Sequence, residues 1–123
     1  MSSTILIALA GLMGAAGVVL LAGGAHATPG TGLESAGHLL LFHAVATIGA
    51  ASALHQGLLF RPLALAAAIG LVVGATLFSG DVAMRAFAGH RLFPMAAPTG
   101  GVILIASWLT LGVAATLAVV RAG

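Results

Sequence analysis

Polar residues interrupt this chain so rarely that their positions alone mark its elements. From Thr4 to Ala25 no charged side chain occurs. This run ends in Gly23-Gly24-Ala25-His26 and the loop Thr28-Pro29-Gly30, where proline stops a helix and glycine permits a tight turn. A second apolar run starts near Glu34 and continues to about Phe60, where Arg61-Pro62 sets a charge before a breaker. The third extends from Leu63 to about Phe87 and carries Asp81 and Arg85 in its last turns. A loop with His90, Arg91, Pro94 and Pro98 follows, and the fourth run, Gly100 to Val120, closes at Arg121. None of the runs alternates with the period of two that a barrel strand shows. Each is long enough for the helix of about 20 residues that crosses a hydrocarbon core of about 30 Å, and lipid admits only helices and closed barrels as spanning structures. The pattern predicts an all-α integral membrane protein. Its four transmembrane helices form an up-down bundle with short loops, with spans of about 4–25, 35–60, 63–87 and 100–120 in one domain, 1–123.

Composition narrows the class further. Of 123 residues 61% are apolar and 5% charged, against roughly 25% charged in a soluble domain. Six charged side chains cannot cover a water-exposed surface of this size, and disorder requires the opposite composition. The cations Arg61, Arg85, Arg91 and Arg121 are scattered and there is no Lys, so nucleic acid, which needs clustered cations, is not an expected partner. With no Cys there is no disulfide, thiolate metal site or Cys nucleophile. Ala25-His26-Ala27 resembles a signal-peptidase site, but no basic residue precedes the run. At about 20 residues the run also exceeds the 7–15 of a signal h-region, so it is read as a span. Four spans place both termini and Arg61 on one side. Counting cations near span ends, the sides tie unless Asp81 and Arg85 pair within the bundle. In that case Arg61 and Arg121 outweigh Arg91, and both termini are cytoplasmic.

The 18 glycines are about twice the usual share and fall at helical spacing. Ala66, Gly70 and Gly74 form a small-xxx-small stripe in the third helix. Ala10-Gly14 and Gly11-Ala15 do so in the first, and Gly112 with Thr116 in the fourth. Small residues let backbones approach where lipid supplies no hydrophobic drive. The stripes are read as bundle packing or as a homo-oligomer seam, and both uses are compatible.

Polar groups at membrane depth are the candidate chemistry. Glu34 and His38 lie one turn apart on one face of the second helix and read as an interfacial cap with a hydrogen-bonded His, or as a proton or cation site. His43 lies about nine residues into that helix, roughly 13 Å along it, where ionisable side chains are rare and face the protein interior. Thr47, Thr76 and Ser79 are its candidate partners. It is read either as a packing hydrogen bond or as a functional site. Asp81 and Arg85 read as an interfacial i,i+4 pair with both heads reaching water. Trp108, far from either headgroup belt, needs a partner for its indole N–H if buried. His38 and His43 are about 140° apart around the helix and cannot share a metal, while His26 and His90 fall in loops on one side and could meet. The possible polar cluster is therefore His26, Glu34, His38, His43, Ser79, His90 and Arg91. The residues read as helix packing are Gly11, Gly14, Ala66, Gly70, Gly74 and Trp108. No catalytic set, phosphate loop, haem pair or metal site is expected.

Several strings occur in a familiar order: Gly24-Ala25-His26, Phe42-His43-Ala44, Gly74-Ala75-Thr76-Leu77-Phe78-Ser79-Gly80, and Pro98-Thr99-Gly100-Gly101 followed by Trp108. Together they resemble the domain-of-unknown-function 423 family of small bacterial membrane proteins. The resemblance implies a four-span inner-membrane protein and no activity. Leu39-Leu40-Leu41 before His43, and the charges Asp81 and Arg85 after Gly80, depart from the family's pattern. Pro98, Gly100 and Gly101 form a helix-start motif. It is read as a tight start packed on the Ser79-Gly80 region, or as a docking point for a small anion or lipid headgroup near His26 and Arg91.

Three functions are weighed. The first is a non-enzymatic accessory or scaffold module that packs against lipid or partner helices, alone as a homo-oligomer or within a larger membrane complex. The second is a small oligomeric transporter or proton-linked carrier using His43. The third is a His-based haem or metal protein. No cofactor is expected under the first, which is favoured.

Overall fold

The structure, a computed structural model, describes residues 2–26 and 30–122. Among these residues the chain is all helical: α1 (Ser3–His26), α2 (Leu33–His55), α3 (Arg61–Ala88) and α4 (Ala96–Ala122). All four are long and apolar enough to cross a membrane. The proposed cleavage position at Ala27 and the break at Pro29 lie outside the described residues.

The helix ends follow local backbone chemistry more closely than the apolar runs do. α2 stops at His55 rather than near Phe60, because Gly57 takes a φ of 79° and turns the chain. The conformation is left-handed, which glycine alone adopts freely. α3 then begins at Arg61 with Pro62 in its first turn, where proline lacks only a bond that the helix start would leave unmade. It ends at Gly89, whose φ is 78° and whose N–H bonds the Arg85 carbonyl. α4 begins at Ala96, ahead of the expected Gly100, so Pro98 sits inside its first turns.

The bundle consists of two antiparallel hairpins, α1–α2 and α3–α4, joined through α2 against α3. α1 touches α3 only lightly, and α1 and α4 make at most a marginal contact. Each hairpin crosses on a reciprocal pair of glycines. A Cβ on Gly17 would lie 3.0 Å from the Gly37 carbonyl oxygen, and one on Gly37 would lie 2.8 Å from that of Gly17. In the second hairpin, a Cβ on Gly74 would lie 2.9 Å from the Gly100 oxygen, and one on Gly100 2.7 Å from that of Gly74. At this separation backbone meets backbone, and dispersion accumulates along both helices.

The expected packing set divides. Gly70 and Gly74 face α4, Gly70 against Ser107 and Gly74 against Leu104. Gly14 sits in ordinary contact with Ala44 and Leu41. Gly11 and Ala66 are exposed, and nothing approaches within 4 Å of a Cβ at Gly11. Neither belongs to the packing inside the chain, because each points away from the neighbouring helix. Gly112 and Thr116 are likewise exposed, with the Thr116 hydroxyl donating to the Gly112 carbonyl of its own helix. The largest core cluster combines Leu33, Leu40, Leu71 and Leu104 with Met13 and Val82, so all four helices contribute to one interior.

Candidate functional site

Where α2 passes α4, the deep histidine meets the one tryptophan. The indole Nε1–H of Trp108 donates to Nε2 of His43 at 3.1 Å, with the rings edge-on at 5.9 Å between centroids. The other ring nitrogen, Nδ1, lies 2.7 Å from the carbonyl oxygen of Leu39, one turn back. An indole only donates and a carbonyl only accepts, so the histidine is neutral with its proton on Nδ1. Both nitrogens are then satisfied, as polar groups at this depth require.

The partner differs from the three candidates that spacing suggested. The Thr47 hydroxyl donates to the His43 carbonyl at 2.7 Å and never reaches the ring. Ser79, fully buried, donates to the Ala36 carbonyl at 2.9 Å and ties α3 to α2. Thr76 is exposed. Trp108 itself remains 48% exposed, so the pair closes the α2–α4 side of the bundle at its surface rather than in its core.

At the loop end, Asp81 departs furthest from expectation. It is fully buried rather than reaching water. Its Oδ1 accepts the backbone N–H of Leu92 at 2.9 Å and so holds down the loop between α3 and α4. Its Oδ2 has no hydrogen-bond partner among the described residues and lies 3.6 Å from the Arg85 Nε, whose side chain is 43% exposed. Only the arginine snorkels. A carboxylate that holds a loop residue eleven positions further along the chain leaves no periodic signature, which is why spacing missed it.

The remaining members of the expected polar cluster stay apart. Glu34 and His38 are exposed and share no hydrogen bond; His38 instead stacks on Phe42, centroids 5.9 Å apart. His26, His90 and Arg91 are exposed, and the His90 ring bonds the Arg91 carbonyl at 3.0 Å. No group of three or more His, Asp or Glu that could hold a metal ion occurs among the described residues. The helix start at Pro98 packs one turn from where it was expected, with Gly100 against Gly74, Leu77 and Phe78, while Gly80 faces Leu92.

The family described as protein of unknown function (DUF423) matches residues 13–101. The chain belongs to this family. Neither a curated protein nor a solved structure matches it. The DUF423 match takes in His43, Ser79, Asp81 and both reciprocal glycine pairs. It ends before Trp108, so the resemblance is shorter than the ordered strings suggested, and the indole that completes the His43 site lies beyond it.

Proposed function

We propose that this DUF423 protein is a non-enzymatic module of the membrane, an accessory or scaffold element that packs against lipid or partner helices. One observation carries the reading. His43, the only titratable group deep in α2, spends both ring nitrogens on structural bonds to Leu39 and Trp108. Ser79 and Ser107 likewise bond backbone carbonyls. A carrier needs a group free to bind and release its cargo, and polar groups consumed in packing bonds support the scaffold reading over the carrier reading.

The proposal extends to placement. The chain is placed in a bacterial inner membrane; because the arginine of the Asp81–Arg85 pair reaches water, Arg85 and Arg91 balance Arg61 and Arg121, and the cation count favours neither side for the termini. Exposed apolar faces on α4, including Val102, Ile105 and Leu109, suit lipid, a second copy or a larger complex.

The test is affinity purification of the full chain in mild detergent, with mass identification of what accompanies it. Stoichiometric membrane proteins in the eluate are the expected result. Recovery of this protein alone overturns the accessory form. A His43→Ala variant that abolishes a measured ion or solute flux in reconstituted vesicles overturns the non-transport reading.

A further inference from the structure

The chain has two acidic side chains, Glu34 and Asp81, and both belong to the end of the bundle where α2 starts and α3 finishes. The opposite end, where α3 starts and α4 finishes, carries Arg61 and Arg121, both exposed. Arg61 and Asp81 are twenty residues apart along α3, about 30 Å, which is the thickness of a hydrocarbon core. No acidic side chain therefore stands near either arginine. Arg85 differs in this respect, because Asp81 lies 3.6 Å from its Nε.

The fold brings these two cations to one recess. α3 and α4 pack as an antiparallel hairpin, so the start of one lies beside the end of the other. Arg61, Ala118 and Arg121 line the recess together with Leu59 and Phe60 of the α2–α3 loop. Two contacts fix it. The Phe60 N–H donates to the Ala114 carbonyl at 2.9 Å and ties the loop to α4. The Arg121 guanidinium lies 4.8 Å from the centroid of the Phe60 ring, a cation–π contact that keeps its charge at the recess. Phe60 is also the N-cap of α3 and gives it no side-chain cap, so the partial positive charge of the helix start has the same sign. Like charges gathered without a counter-charge repel, and an anion between them reverses the sign of that energy.

We propose that this recess binds the phosphate of an anionic membrane phospholipid between Arg61 and Arg121. The ends of spanning helices lie at the level of the headgroups, just outside the hydrocarbon core. Leu59, Phe60 and Ala118 give the recess an apolar wall. Val119 and Val120, next to Arg121, are 72% and 68% exposed on the outside of α4. A charged side and an apolar side thus adjoin, as the phosphate and the chains of a lipid do. A free phosphate would use only the first. The proposal deepens the reading of the protein as a module that packs against lipid, and it rests on that reading.

The experiment uses the full chain in mild detergent, with lipid binding read by native mass spectrometry. Dioleoylphosphatidylglycerol and dioleoylphosphatidylcholine carry the same chains and differ in the charge of the head. The first is expected to bind about thirtyfold more tightly, because each arginine at a bilayer surface supplies about a fivefold preference for anionic lipid. Arg61→Gln and Arg121→Gln should each lose about fivefold of that preference, and the double variant nearly all of it. Arg91→Gln, at the other end of the bundle, should keep it. Should a variant lose its helical circular dichroism, salt titration of the unaltered chain is the second measure, and the preference should fall as salt rises. Equal binding of the two lipids overturns the site. So does a preference that survives the double variant, or one that Arg91→Gln removes equally. Displacement of the phosphatidylglycerol by inorganic phosphate overturns the lipid as the source of the phosphate. An absent preference with partner proteins still co-purifying would refute the recess alone. A clear preference in a protein that purifies without partners would refute only the accessory form.

Discussion

Replacing Gly37 by Ala and replacing Gly11 by Ala are the same chemical change with opposite expected signs. Alanine is favoured over glycine in a helix interior by up to about 1 kcal/mol. At Gly11 nothing lies within 4 Å of the new Cβ, so that gain stands and the variant is more stable by about 0.5–1 kcal/mol. At Gly37 the new Cβ would lie 2.8 Å from the Gly17 oxygen, 2.8 Å from the Leu21 nitrogen and 2.9 Å from Leu21 Cγ. Two of these are backbone atoms that no rotamer change can move. Reaching the 3.4 Å of ordinary contact means separating α1 from α2 by roughly half an ångström or more, a gap that already forfeits a quarter of the dispersion well. Overpacking of this kind costs about 1–3 kcal/mol, which exceeds the propensity gain. The propensity gain is common to both variants, so they should differ by the overpacking cost, about 1–3 kcal/mol. Unfolding by sodium dodecyl sulfate in mixed micelles, followed by far-UV circular dichroism, measures both on one scale. If Gly37→Ala is as stable as the unaltered chain, the backbone crossing does not hold the first hairpin.

Other consequences can be measured in the same way. Truncating His43 to Ala and Trp108 to Phe, singly and together, should give a coupling energy of about 0.5–2 kcal/mol for their hydrogen bond, and Trp108, the only tryptophan, should change its emission in the His43 variant. Gly70→Ala drives a Cβ into the Ser107 hydroxyl and should destabilise by about 1–3 kcal/mol; Ser107→Gly in the same chain should recover most of the loss. Asp81→Asn keeps an acceptor for the Leu92 N–H and should cost little. Asp81→Leu removes the acceptor and should cost about 1–3 kcal/mol, with faster hydrogen exchange at Leu92 as the local readout.

The spans were legible because an uncharged run of twenty residues has few other fates. Their ends were less so, because they depend on one backbone dihedral at Gly57 and on how far Pro98 can sit inside a first turn. Small-residue stripes pointed to Gly70 and Gly74 but could not find Gly17 and Gly37, whose neighbours four residues on are Leu21 and Leu41. A crossing glycine needs a glycine opposite it, on another helix, and not one beside it. His43 stood out by depth alone, while its partner lies 65 residues away in the chain and no local pattern joins the two. Asp81 looked like half of a surface pair because i,i+4 spacing is blind to burial. Only the fold of the following loop puts the carboxylate out of reach of water.

That buried carboxylate sets an order of events during synthesis. Asp opposes membrane insertion by about 2.5–3.5 kcal/mol at the centre of a span and by less toward its ends, and Asp81 lies seven residues inside the end of α3. Its hydrogen-bond donor, the Leu92 amide, is translated after the whole of α3. While α3 leaves the ribosome the carboxylate has only Arg85 beside it, so α3 gains its full stability in lipid once the loop has formed and α4 has begun to follow. The second hairpin is therefore expected to enter the membrane as a pair of helices, whereas α1, uncharged between Thr4 and Ala25, meets no such barrier; an insertion assay on α3 with and without the following loop and α4 measures the difference.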